Sequence, residues 1–253
     1  MKVTVLQRDI VWADPMENVK EADTALDRNP GSDLYVLPEM FSTGFCTHPE
    51  GIAEPADSAT VRWMKSKAAQ TGAAVAGSVA IEEDGKYFNR FYFVTPDGIA
   101  ATYDKKHLFT YGGEHERFTS GKERVVVTHK GFRILLEICY DLRFPIWSRN
   151  RGDYDMIIYV ASWPTPRVEA WKSLLVARAI ENQCYVVGVN RVGTDPGNEY
   201  CGGSRVIDPY GKIMAECEDN VEMEVSVELD MDVLEAFRAK FPVLNDADYE
   251  DFQ

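Results

Sequence analysis

Two runs in this sequence, MIIYV at 156–160 and YVVGVN at 185–190, are almost continuously apolar and about as long as a strand. A strand with one wet face alternates apolar and polar residues, so an unbroken run belongs to a strand covered on both faces. Similar strand-like segments recur at Val3–Gln7, Leu34–Leu37, Ala74–Ile81, Phe88–Thr95, Val125–Thr128 and Ile134–Cys139. Helical patterns fill the intervals at Met16–Asp27, Ser58–Gln70 (with Asp57 or Ser58 as N-cap), Phe144–Arg151 and Arg167–Glu181. Turns are marked by EEDGK at 82–86, TPDGI at 95–99 and DPYGK at 208–212. Alternation of this kind implies an α/β protein whose mixed sheet is covered by helices. No linker, repeat or low-complexity run divides the 253 residues, so one domain over 1–253 is expected. The acidic, aromatic tail, about residues 242–253, is expected to fray or to pack at a subunit interface.

Charge narrows the function. The chain carries 27 Lys and Arg against 41 Asp and Glu, a formal charge of −14, with no basic patch that would hold a polyanion. Nucleic acid is therefore not an expected partner, and no apolar stretch reaches membrane-spanning length. The N-terminal MKVTVLQRDIVW lacks the pattern of an export signal. Cys46, Cys139, Cys184, Cys201 and Cys217 are odd in number and widely spaced, unlike a disulfide framework. The histidines show no zinc-ligand spacing, so no metal is expected, and a reducing cytoplasm is the expected compartment.

Three segments break the rule of apolar strand followed by solvated loop. In LYVLPEMFSTGF, 34–45, a buried strand delivers Glu39 at its carboxyl end among Leu37, Met40, Phe41 and Phe45. In YDKKHLFTYGGEHERFTSG, 103–121, lysines, histidines and glutamates crowd among aromatics; alone, DKKH reads as a solvated turn. In RILLEICYDLRFPIWSRN, 133–150, a strand ends on Cys139 and turns at Tyr140-Asp141. A thiol at such a turn is exposed beside backbone N–H groups that can hold an oxyanion, whereas most free cysteines are simply buried. Together the segments supply a carboxylate, an ammonium and a thiol, which suffice for base-assisted nucleophilic attack on a carbonyl.

LPEMFSTGF, YDKKHLF and ICYDLRFPIWSRN resemble the three signature segments of the nitrilase (carbon–nitrogen hydrolase) superfamily. The resemblance covers nearly the whole chain, and HLFTYGGEHERF, YDLRFPIWSRN and SWPTPR with AWKSLLVARAIEN resemble its omega-amidase branch, the 2-oxoglutaramate amidases. It implies a four-layer α-β-β-α sandwich, usually a homodimer, that needs no cofactor. It implies Glu39 as general base, Lys105 rather than Lys106 as oxyanion cation, Cys139 as nucleophile and the Tyr140 N–H as a second oxyanion donor. The second glutamate of the pattern matches Glu114, seven residues before Gly121, with Glu116 close by. The implied reaction cleaves the terminal amide of a small 2-oxo dicarboxylic acid monoamide to the acid and ammonia through a thioester.

Such a substrate carries a carboxylate, for which Arg167 and Arg117 are candidates, while Arg143 reads as a local structural pair. Phe45, Phe109, Tyr111 and Trp163 are candidate pocket walls. Glu137, a charge on an otherwise buried strand, needs a partner such as an arginine. Three other readings remain: a different small carbon–nitrogen substrate, a catalytically silent scaffold, and a papain-like dyad of Cys139 with His107.

Overall fold

The computed structural model describes residues 1–248. Every residue of Met156–Ala161 and Tyr185–Asn190 is buried, and the two strands lie parallel, Tyr185 beside Met156 through to Asn190 beside Ala161. The expectation of one mixed sheet is corrected: two large sheets are present. One has seven strands, in the order Met223–Glu228, Lys2–Gln7, Leu34–Val36, Ala74–Glu83, Lys86–Thr95 and Gly98–Asp104, with the short Glu54–Pro55 beside Ala74–Glu83. The other has six, in the order Ile213–Glu216, Arg205–Ile207, Tyr185–Asn190, Met156–Ala161, Phe132–Ile138 and Val126–His129. Each contains three adjacent parallel strands flanked by antiparallel ones.

Period-two alternation explains the layering. Val3, Val5, Val36 and Ala76 of the first sheet share one core with Leu136, Ile138, Ile158 and Val187 of the second. The opposite face of the first sheet, Leu6, Tyr35 and Val75, packs against Ala22 and Leu26 of the helix Pro15–Arg28 and Val61 and Met64 of Ala59–Thr71. The opposite face of the second, Leu135, Ile157 and Val186, packs against Trp171, Leu175 and Ala179 of Val168–Asn182. This is the four-layer sandwich that the resemblance implied. Ser58 caps its helix, accepting from Val61 N at 3.2 Å, and Gly72 ends it at φ 71°.

The predicted helix Phe144–Arg151 shrinks to Pro145–Ser148. Asn150 diverts the chain: its amide donates to Tyr154 O and Asn182 O, each at 3.0 Å, and its N–H donates to Asn182 Oδ1. Side-chain bonds of this kind compete with helix continuation. The strands Gly98–Asp104 and Met223–Glu228 and the helix Met231–Lys240 add to the predicted set. Residues 249–253 of the tail, called a fraying or interface segment from sequence, lie outside the described residues.

One glycine is set by close approach rather than by conformation. Gly121 donates to Lys105 O at 2.9 Å, and a Cβ on it would stand 1.9 Å from Asp104 O. Gly121→Ala is expected to push the two segments apart and destabilise the fold by about 1–3 kcal/mol. A thermal melt beside the parent protein checks this; an unchanged melting temperature rejects it.

Candidate active site

Each chemically distinctive residue sits just beyond a strand. The chain leaving Leu34–Val36 stays pinned to its neighbour: Leu37 N donates to Ala76 O at 2.8 Å, Met40 N to Ser78 Oγ at 2.9 Å and Phe41 N to Ser78 O at 3.1 Å. Glu39 between them is fully buried. Lys105 follows Gly98–Asp104 and is held by its N–H donating to Asn89 O at 3.0 Å. Cys139 follows Phe132–Ile138 at φ 48°, and Met40, directly after Glu39, sits at φ 44°. Non-glycine residues in this region carry strain that surrounding structure must hold, of order 1–3 kcal/mol each.

The side chains converge. Lys105 Nζ donates to Glu39 Oε1 at 2.8 Å and to Glu114 Oε2 at 2.9 Å, and all three residues are fully buried. Asn89, which sequence reasoning missed, lies in the same cluster: Nδ2 donates to Glu39 Oε1 at 2.7 Å and to Glu114 Oε1 at 3.2 Å. Its signal was an amide inside the otherwise aromatic strand KYFNRFYFVT. Ser162 N donates to Glu39 Oε2 at 2.8 Å, and Phe109 N to Glu114 Oε2 at 2.6 Å. Glu116 is exposed and Lys106 lies over the Trp147 ring, so Glu114 and Lys105 are the pair in the site.

Burial alone would lower the Lys105 pKa, but Glu114 and Glu39 outweigh it and hold the ammonium charged. Burial raises Glu114, and Lys105 offsets only part of that. Burial, then the Glu39 carboxylate, push the Cys139 thiol well above its ordinary range against the pull of Lys105. Sulfur therefore rests as a thiol beside a carboxylate.

Behind the thiol, Asp141 ties the segments together. It accepts from Tyr103 OH at 2.7 Å, His107 N at 2.9 Å and Ile138 N at 3.0 Å. His107 Nδ1 lies 2.8 Å from Asp141, and its ring stacks on Phe144 at 3.8 Å. His107 is thus committed to the lysine loop rather than to a dyad with Cys139.

Cys139 opens into a cavity with about 410 Å³ of free space, part of it open to solvent. Phe45, Phe109, Tyr140, Trp163, Arg167 and Arg143 line it, as do the buried Tyr200 and the exposed Asn198. Two candidate residues fall outside. Arg117 is exposed and pairs with Glu50 at 3.5 Å; Tyr111 is 86% exposed, because its short turn projects from the surface. Arg143 corrects the expectation of a local pair: it lies over Trp163 at 4.8 Å and has no carboxylate partner among the described residues. Cys46, Cys184, Cys201 and Cys217 are buried, and burial raises Cys46 and Cys217 to about 12.

A family model, carbon-nitrogen hydrolase, matches residues 2–239. The chain belongs to the carbon–nitrogen hydrolase family. It is 47% identical over 249 residues to the omega-amidase YafV of Escherichia coli (strain K12), covering 98% of this chain and 97% of that protein. It is 36% identical to the 2-oxoglutaramate amidase of Bacillus subtilis (strain 168), covering 96% of each. Among solved structures, XC1258 of Xanthomonas campestris, a CN-hydrolase superfamily protein with an arsenic adduct in its active site, superposes with a TM-score of 0.95 at 42% identity. That match covers 98% of this chain and 97% of the other. As a member of this family, the protein is a hydrolase of carbon–nitrogen bonds.

Glu137 lacks the arginine partner expected for it. Among the described residues no hydrogen bond of good geometry reaches either carboxyl oxygen, and the Ser148 hydroxyl gives only a small offset. Burial, then Asp141, push its pKa well above the ordinary 4.5, with Arg124 and Arg178 offsetting too little. The folded chain thus keeps a proton that the unfolded chain releases above that value. Folding stability from this group is full below it and is lost as pH rises. Glu137→Gln is expected to match the parent near about pH 4 and to melt increasingly higher than it towards about pH 8; a constant offset rejects the neutral acid. His107→Asn is expected to lower turnover only modestly, and near-complete loss restores the dyad.

Proposed function

We propose that the protein is an omega-amidase that hydrolyses the terminal amide of 2-oxo dicarboxylic acid monoamides such as 2-oxoglutaramate and 2-oxosuccinamate. The observation that carries this is a buried ammonium clasped by two buried carboxylates beside a thiol, in a cavity that also holds arginines. Omega-amidase and 2-oxoglutaramate amidase relatives aligned over nearly the whole chain support the substrate class.

Glu39 takes the Cys139 proton as sulfur attacks the amide carbon. Its Oε1 already accepts from both Lys105 and Asn89, while Oε2 accepts only from Ser162 N and keeps a lone pair to act as the basic oxygen. Two Lys105 protons engage the glutamates, and the third, with the Tyr140 N–H, stabilises the oxyanion. Glu39 then protonates the departing ammonia, leaving a thioester on Cys139. It next deprotonates a water that releases the acid and the thiol. Glu114 holds Lys105 in place. Phe45, Phe109 and Trp163 wall the substrate, and Arg167 receives its carboxylate.

The unit is one carbon–nitrogen hydrolase domain, working as a homodimer in the cytoplasm. Exposed Ile146, Ile180, Tyr210 and Phe241, with a Tyr210–Phe237 ring contact at 4.0 Å, support an interface. Five thiols, none in a disulfide, support a reducing compartment. No helix among the described residues is long and apolar enough to cross a membrane.

Ammonia release from 2-oxoglutaramate, measured beside an N-carbamoyl amino acid and a nitrile, tests the reading. Cys139→Ala and Glu39→Gln are expected to abolish turnover in folded protein. Lys105→Ala is expected to cost at least about 3 kcal/mol in the transition state, as lost oxyanion donors do. Turnover that survives Cys139→Ala removes the mechanism; activity on another compound alone keeps the chemistry and discards the substrate.

A further inference from the structure

Acidic groups outnumber basic ones 41 to 27 in this chain, and its inward-facing arginines are mostly claimed by them. Arg8, Arg90, Arg178, Arg191 and Arg205 each pair with a carboxylate. The two arginines that line the Cys139 cavity do not. Among the described residues, Arg143 and Arg167 make no ion pair and no side-chain hydrogen bond. Each rests on aromatic rings instead, Arg143 over Trp163 at 4.8 Å and Arg167 over Phe109 at 5.4 Å. Stacking occupies the flat face of a guanidinium and leaves the in-plane N–H donors free for an oxygen ligand. No Asp or Glu lines the cavity, whose third cation, Lys105, is already neutralised from beneath by Glu39 and Glu114.

We propose that Arg143 and Arg167 act together as a clamp for a 2-oxo carboxylate, and that the same pair excludes an α-ammonium group from the position beside that carboxylate. The inference rests on the omega-amidase reading and deepens it. L-Glutamine shares with 2-oxoglutaramate the terminal amide, the chain length and the carboxylate; the two differ at C2, an ammonium in one and a carbonyl oxygen in the other. A carbonyl oxygen accepts from a guanidinium. An ammonium at that place meets two like charges, and no acidic side chain lines the cavity to balance it. One pair of side chains thus supplies attraction for the deaminated amide and repulsion for its amino-acid counterpart, and glutamine is spared.

The test compares kcat/KM for 2-oxoglutaramate, glutaramate (a methylene at C2), L-glutamine and the uncharged butyramide in parent, Arg143→Gln, Arg167→Gln and Arg143→Lys proteins. In the parent, 2-oxoglutaramate is expected to exceed glutamine by about 1,000-fold or more and to exceed glutaramate by less. Each Gln variant is expected to compress the 2-oxoglutaramate-to-glutamine ratio at least about tenfold, chiefly through KM for the 2-oxo amide. Its 2-oxoglutaramate-to-butyramide ratio is expected to fall as well, a readout that general damage to the site leaves unmoved. Arg143→Lys, which keeps the charge and loses the fork, is expected to go on rejecting glutamine while losing the preference for 2-oxo over methylene. Ratios equal to the parent's, in variants that melt normally and turn over 2-oxoglutaramate, overturn the clamp and leave the omega-amidase reading standing. A parent that does not turn over 2-oxoglutaramate overturns that reading and the clamp with it.

Discussion

Everything in the site depends on an ammonium taken out of water. Burying one charge costs several kcal/mol before partners compensate, so Lys105 is tolerable inside the protein only because Glu39 and Glu114 meet it at 2.8 and 2.9 Å. Two carboxylates and one ammonium leave a formal excess of one negative charge. Asn89 tempers it by presenting two N–H donors to the acids without adding charge. Burial, and then that residual charge, explain the protonated thiol: a thiolate would be a third buried anion beside one cation. In the proposed mechanism a thiolate forms only as the sulfur–carbon bond does.

Two of the candidate residues were legible because each lies where an apolar run stops. Glu39 and Cys139 end strands that periodicity alone marks as buried, so polar chemistry there had to be justified. Lys105 and Glu114 sit in a charged segment that reads as solvated, and only the family pattern picked them out. Asn89 escaped because an amide in a strand has no spacing of its own; its meaning lies in pairing across space with residues 50 and 25 positions away. Arg143 was expected to pair locally, yet the nearby Asp141 is already satisfied by Tyr103, His107 and Ile138.

Periodicity made the fold legible as alternation but not as two sheets, which came from the family resemblance. Helix-strand periodicity says that a strand is covered, not by what. Ile138 and Val5 look alike in sequence whether a helix or a second sheet lies above them, and the shared core answers with a sheet. The edge strand Met223–Glu228 hid behind two glutamates. Asn150 ended a helix early through bonds to Tyr154 and Asn182, one of them 32 positions away.

The division of labour between the sheets has a mechanical consequence. Glu39, Asn89 and Lys105 hang from the seven-stranded sheet, Cys139 and Ser162 from the six-stranded one, and at this end the two are tied by Ser162 to Glu39, and by Tyr103 and His107 to Asp141. Elsewhere along that seam the sheets meet through aliphatic and aromatic side chains, Phe93 and Phe132 among them, and through ties such as Ser204 N donating to Gln7 Oε1 at 3.0 Å. Glu39 and Cys139, one on each slab, thus act as the vernier of the sandwich. A shift of an ångström between the slabs would leave both sheets and all the helices intact while carrying the carboxylate away from the thiol.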